Sequence, residues 1–579
     1  MSPRATTSGK SSKPKISDRL MARLRDDLVS RRVDSGIDCL ENHRGLIAAL
    51  EPSQKNAAAF LGQLTQWVDM GYDQPRLLKE LLSRFPRSLR AALPVSDYLH
   101  LKMAEGLVAT SEESFENAIC LFETVLGFEN EIQDKELLAI ANFWIARCQR
   151  NMGRYETALK YTVKAKELAL DLEYPRMAAV MQVLESWLKF QEGRPQEARQ
   201  ILREAEEVLL ETDDYVTRGN IQSAYGRIAR RQGRYDQAIQ HFADSIREYK
   251  KRNPQHRNLA RALANIASVK RLIAVRLGKK IDREVTRRLK VAASHESART
   301  AQPKLRERVH LERIRAEAFE HLAEAEGIYA RYNDHRGLGT VHVDRGLLCL
   351  DSGDLDAAAS EGEAAYRLGK DKKDFILEAR ARILQSTVEN ARFEEQIEDK
   401  SEGRRAQAAL DFAREAVECA KHTQNRRLLA RAYISQGFVL ANDFFGDPQS
   451  AGESCDGAAA LLKPEGQDYV WEDLQALRRK LLKAGSIDFL LRQWSQGIVG
   501  EKTFRQITEE FAGIVIPKVW KREGRKVSRV ATRLSISPKK VRRILSNAGL
   551  LEGKDRVETG GQLEGSRSKV GKFRKEVAS

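Results

Sequence analysis

Three phrases of this chain are near-copies of one another: NMGRYETALKYTVKA at 151–165, QEGRPQEARQILREA at 191–205 and RQGRYDQAIQHFADS at 231–245. They share glycines at 153, 193 and 233 and alanines at 158, 198 and 238, a step of 40 residues. Ala118 and Phe122 lie on the same grid upstream; Ala318, Gly353 and Ala358 lie on it downstream. A period of this length marks one supersecondary unit stacked many times. It also explains a chain of 579 residues, which exceeds what a single hydrophobic core supports.

Each grid position has a physical role in a helical hairpin. Glycine lacks a Cβ, so it can take the left-handed conformation that ends the first helix of a pair. Two residues on, Tyr155, Tyr235 or Leu355 packs into the turn. The alanine five positions after glycine lets the second helix approach the first, and small residues seven positions before it (Ala146, Ser186, Gly226 and Gly346) occupy the other tight spot. Apolar residues at 42% can fill an interior, and 14 prolines with 7% aromatics suit helices, so the expected fold class is all-α.

With its G-x-Y-x-x-A-[LI] core, the pattern resembles the tetratricopeptide repeat family over about residues 95–465. The step of 40 is longer than the family's usual ~34, which implies extended helices or loops. REAVECA at 414–420 and GFVLANDFFGDPQSAGES at 437–454 fall off the grid. The resemblance implies an α-solenoid that receives a protein or peptide partner on a concave face lined by first helices. Counting back from the turn glycines places Arg147, Arg150, Arg227 and Arg230 on that face, suited to a peptide carboxylate or acidic side chains.

The net charge of +17 is concentrated rather than spread. Residues 516–579 carry 18 Lys and Arg against 6 acids, and residues 257–315 carry 17 against 5. A third, shorter basic stretch is the tail 1–16, with four basic residues and no acid. The block at 257–315 includes about 40 residues beyond the grid, a basic insertion near 277–303. It reads as a long basic helix followed by an exposed loop, SHESARTAQPK. A solvated extension and a second contact to nucleic acid or an acidic partner both fit it.

The C-terminal block contains KVSRVATRLSISPKKVRRILSNAGLL at 526–551. VSRVATRL forms one short helix, Ser535 and Ile536 the turn, and Ser537 with Pro538 the cap and first position of a second helix that stops at Gly549. Apolar Val530, Ala531, Leu534, Ile536, Val541, Ile544 and Leu545 meet between the helices, leaving Lys539, Lys540, Arg542 and Arg543 outside. Residues 527–550 resemble the Fis-type helix-turn-helix, although Ser535 stands where glycine is usual and Pro538-Lys539-Lys540 replaces the usual polar set. The resemblance implies that the second helix enters the major groove of double-stranded DNA. Ser537, Lys539, Lys540 and Arg543 would then meet base edges or nearby phosphates, with Lys526, Ser528, Arg529 and Arg542 on the backbone. It also implies a homodimer through helix 502–522, where Phe504, Ile507, Phe511, Ile514 and Val515 fall at helical spacing and Pro517 is a candidate kink.

Other classes find no support. The sequence holds no run near the ~20 apolar residues of a membrane span and no apolar leader, so no membrane association is expected. Six scattered cysteines lack metal or disulfide spacing and read as buried free thiols, so neither a metal nor a cofactor is expected. GIVGEKT at 497–503 lacks the spacing of a phosphate loop, and no catalytic constellation appears, so no enzyme is expected. The resulting expectation is a disordered basic tail (1–16), a helical region capping the solenoid (17–94), a tetratricopeptide-like solenoid (95–485), a small helix-turn-helix domain (486–552) and a second disordered basic tail (553–579). Such a chain reads as a bacterial cytoplasmic, nucleoid-associated, sequence-specific transcriptional regulator. The alternative is a tetratricopeptide scaffold for protein assembly without DNA binding.

Overall fold

The computed structural model describes residues 16–72, 74–292, 305–395, 402–462, 468–485, 502–547 and 550–551. The expected tail 1–16 (apart from Ile16), the loop 294–304, the helix stop at Gly549 and the tail 553–579 lie outside them. Every regular element among the described residues is a helix. The chain divides into two compact units, Met1–Leu482 and Lys483–Ser579.

In the first unit the 40-residue grid becomes literal geometry. First helices begin at Val95, Lys135, Pro175 and Tyr215, and their partners at Phe115, Tyr155, Pro195 and Tyr235. Within pairs the turn glycines take the left-handed conformation, with φ of 80° at Gly153 and Gly193, 72° at Gly233 and 84° at Gly353. Each turn closes with a bond spanning five residues, such as the Arg154 N–H donating to the Gln149 carbonyl at 2.9 Å. The same closure is made by residues that carry a Cβ, within a pair at Glu113 and between pairs at Glu173, Asn333 and Lys373, all with φ between 49° and 62°. Aspartates then cap the next helix, Asp134, Asp214 and Asp334 each accepting a backbone N–H three residues on.

The small residues lie where helices touch. Ala158, Ala198, Ala238 and Ala358 are fully buried. Opposite Ala198, the Ser186 hydroxyl donates to its carbonyl at 2.9 Å, a contact no longer side chain would permit. A Cβ on Gly226 would sit 2.7 Å from the ring of Phe242.

Two departures from the plain repeat stand out. The basic insertion lengthens one hairpin into Asn258–Ala292 against Leu305–Arg331 instead of adding a pair. The N-terminal region shares one continuous core with the first repeats, running from Ile16 to Met181 through Trp67, Phe60 and Phe122. That region also reaches past its neighbours: the Asp34 N–H donates to Asp213 at 2.9 Å, and Arg31 pairs with Asp214 at 3.4 Å.

Contacts like these recur along the unit, because the superhelix is wound tightly enough for residues far apart in sequence to meet. The Gln424 N–H donates to the Gly153 carbonyl at 2.9 Å, and Gln424 Oε1 accepts the Glu156 N–H at 2.9 Å. His335 donates one ring nitrogen to Glu113 and the other to Asp374, and Arg336 donates to Asp374 at 2.6 Å and to the Asn151 carbonyl. Of the cysteines, Cys39, Cys148 and Cys455 are buried as expected, but Cys120 faces solvent on its helix and Cys349 and Cys419 are half-buried.

The second unit contains helices Phe504–Arg522, Val527–Arg533 and Pro538–Asn547. Ile516 and Trp520 from the first pack with Val530, Ala531, Val541, Ile544 and Leu545 from the other two. Pro517 lies inside the first helix without ending it.

Candidate functional sites

In the first unit, first helices bring arginines together. Arg147 on helix Lys135–Asn151 donates to Asp69 at 2.6 Å, and the Trp144 indole N–H donates to the same carboxylate at 3.1 Å. Burial alone would lower the Arg147 guanidinium, but Asp69 outweighs it and holds it above its ordinary value. Arg230 on helix Tyr215–Arg231 donates to neutral partners, Asn265 Oδ1 and Ser268 Oγ, each at 3.2 Å.

Arg150 and Arg227 are different. Arg150 donates to Asn151 Oδ1 at 3.1 Å and lies 5.6 Å over the ring of Trp187, while the buried Nε of Arg227 has no hydrogen-bond partner among the described residues. Burial, then Arg261, Arg147 and Arg227, push the Arg150 guanidinium down to about 9. Burial and then Arg261, with Arg230 in a lesser part, bring Arg227 to about 9 as well. An arginine keeps its proton in proteins, so the depression reports burial beside like charges rather than a neutral side chain. Tyr249 stands beside the same group: burial carries its hydroxyl up to about 12 against the opposing pull of Arg261 and Arg227, and the hydroxyl donates to Asn220 at 2.9 Å.

Counting back from the turn glycines names Arg147, Arg150, Arg227 and Arg230 but not Arg261, which comes from helix Asn258–Ala292 after the grid has been interrupted. Nor could it find Asp69, which is 78 residues from the arginine it neutralises.

In the second unit, Val541, Ile544 and Leu545 turn helix Pro538–Asn547 so that Lys539, Arg542 and Arg543 are exposed, with Lys540 half-buried. Ser537 caps this helix, its hydroxyl accepting the Lys540 N–H at 3.2 Å. Lys526, Ser528 and Arg529 are exposed on and before helix Val527–Arg533. The turn between the helices closes through the Ile536 N–H and the Ala531 carbonyl at 3.1 Å, and Ser535 takes a φ of 52°, the conformation for which glycine is better suited. Arg543 is not free: Glu509 on the preceding helix accepts from it through both carboxylate oxygens, at 2.6 and 2.9 Å.

Paired helices on a fixed step and left-handed turns define the first unit as a tetratricopeptide-like α-solenoid in an all-α chain. Residues 217–274 match the tetratricopeptide repeat family. Similar solved structures include a Rap protein complexed with competence and sporulation factor, with 14% identity, covering 70% of this chain and 100% of that one, at a TM-score of 0.48. The apo form of the quorum sensor NprR from B. thuringiensis is similar at 14% identity, over 68% of this chain and 97% of that one, with a TM-score of 0.44. The human IFIT1 dimer with m7Gppp-AAAA is similar at 14% identity, over 77% and 96%, with a TM-score of 0.41. No curated protein sequence matches the chain. No helix among the described residues is long and apolar enough to cross a membrane.

Proposed function

We propose that the protein is a DNA-binding transcriptional regulator, not an enzyme, in which the solenoid receives a protein or peptide partner and the C-terminal unit binds duplex DNA. The observation that carries this reading is the basic face of helix Pro538–Asn547. Lys539, Arg542 and Arg543 stand outward over an apolar core, within a stretch of 18 basic residues against 6 acids. A short helix, a tight turn and a capped second helix are the parts of a helix-turn-helix, in which the second helix lies in the major groove while residues of the first hold phosphates. Lys526, Ser528 and Arg529 have the exposure that the phosphate role requires.

Homodimerisation through helix Phe504–Arg522 completes the reading, since paired units would address two half-sites. Phe504 is 86% exposed and Phe511 48%, apolar area at helical spacing that the core of the unit does not use. Cytoplasmic, nucleoid-associated localisation follows from a DNA partner.

The test is a gel-shift salt series on the full chain and on a chain lacking residues 516–579. Full-length protein is expected to bind duplex DNA with affinity falling steeply as salt rises. Unchanged binding by the shortened chain overturns the assignment, as does unchanged sequence preference in a Lys540→Ala/Arg543→Ala protein.

A further inference from the structure

The arginines of the first helices carry more positive charge than a single carboxylate can answer. Of the named set, Arg147 is neutralised by Asp69. Arg150, Arg227 and Arg261 form no ion pair with any carboxylate among the described residues, and Arg230 has only an amide and a hydroxyl as partners. The other charged and titratable groups acting on this cluster do not reverse the balance. Arg147 is answered by Asp69, and the tyrosines Tyr155 and Tyr249 remain neutral at ordinary pH, with hydroxyls carried up to about 12. Near Arg261, His256 is pushed down to about 4 by burial and by Arg257, Arg261 and Arg252, so it stays neutral.

Elsewhere in the first unit, arginines of first helices do have carboxylates. Arg271 has Asp351 at 2.6 Å, and Arg336 has Asp374 at 2.6 Å. The lack of one among Arg150, Arg227 and Arg261 is therefore local. Gathering like charges in a partly desolvated wall is unfavourable. The Arg227 Nε adds a buried donor with nothing to receive it. A bound anion would relieve both.

We propose that Arg150, Arg227 and Arg261, with Arg230 at their edge, form a receptor for a doubly charged phosphoryl group, a phosphate monoester dianion or inorganic phosphate. The inference rests on the reading of the concave face as the ligand-receiving surface and names the chemistry it selects. A carboxylate brings one negative charge and two acceptor oxygens in one plane. A phosphoryl dianion brings two charges and three terminal oxygens arranged around an axis, matching guanidinium forks that arrive from three separate helices. Trp187 beneath Arg150 supplies a flat apolar wall beside them.

The experiment is isothermal titration of the full chain with inorganic phosphate, O-phosphoserine, AMP and acetate at matched ionic strength. Phosphate and at least one monoester are expected to bind at least about tenfold more tightly than acetate. The Arg150→Gln/Arg227→Gln protein is expected to lose at least about tenfold in phosphate affinity. Arg261→Gln alone is expected to weaken it in the same direction. Because each substitution removes an uncompensated charge, these proteins should resist urea at least as well as the parent in phosphate-free buffer, which separates loss of ligand from loss of fold. Phosphoserine binding above AMP identifies a phosphorylated side chain as the source, and the reverse order identifies a small phosphate ester. Acetate binding as tightly as phosphate overturns the proposal while leaving a carboxylate-bearing peptide as partner. Unchanged phosphate affinity in the double variant overturns it outright. Either outcome leaves DNA binding by the C-terminal unit untouched, so the two readings fail separately.

Discussion

His335 offers a direct test of how the superhelix is closed. An imidazole that faces a carboxylate at each nitrogen must donate from both, so it is held as the cation between Glu113 and Asp374. Burial opposes the charge, but the hydrogen bonds to Asp374 and Glu113 outweigh it and carry the ring up to about 9 from an ordinary 6.5. At about 1.4 kcal/mol per pH unit, a rise of that size contributes about 3 kcal/mol to the closed arrangement. Because the folded value is raised, this contribution is complete below about pH 6.5 and is lost as pH climbs through about 9. Repeat arrays open in parts, so the readout must be local. Hydrogen exchange by mass spectrometry, on peptides covering the turns at 112–114 and 372–374, is expected to show wild-type protection falling about 100-fold between about pH 6 and pH 9.5 after correction for intrinsic rates. His335→Gln should be poorly protected across the whole range. An equal loss of protection in both proteins would refute the reasoning.

Three further outcomes follow from contacts described above. Gly226→Ala should destabilise in urea by about 1–3 kcal/mol despite alanine's better helix propensity, because the new Cβ meets the Phe242 ring; a stabilised variant would show that the ring has room to move. Asp69→Asn should cost about 2–3 kcal/mol by leaving Arg147 half-buried without its anion, and Arg147→Gln in the same chain should recover part of that loss; no recovery would mean that Asp69 acts through Trp144 instead. Glu509→Ala should release Arg543 and tighten duplex DNA binding several-fold with a steeper salt slope in gel shifts; weaker binding would mean that Glu509 positions Arg543 for contact.

The repeat was legible because its signals are local. A glycine forced to positive φ and an alanine five residues later recur within one hairpin, and they fixed where helices end and touch. The turns between pairs were not legible, since Glu173, Asn333 and Lys373 adopt the same left-handed conformation without a residue type that announces it. Tertiary closure left no trace either. Arg336 and Asn151, or Gln424 and Gly153, are brought together by the accumulated rotation of many hairpins. The four arginines Arg147, Arg150, Arg227 and Arg230 could be counted from the grid, while the place of Arg261 and the neutralising role of Asp69 depend on that same winding. In the C-terminal unit the apolar alternation of Val530, Ala531, Val541, Ile544 and Leu545 was a local signal and the helices formed where it placed them. The bond from Arg543 to Glu509 joins residues 34 apart and had no such signal.

An open solenoid can gain or lose a hairpin with little consequence beyond its immediate neighbours. In this one, Gln424 meets Gly153 and His335 meets Glu113 only when a set number of hairpins lies between them. Inserting or deleting a single unit would carry every later contact around the axis to the wrong partner, so the copy number is locked like the teeth of a gear. New sequence can enter such a structure only by growing outward along an existing hairpin, as helices Asn258–Ala292 and Leu305–Arg331 do. Duplication, the usual way repeat proteins change length, is closed to it.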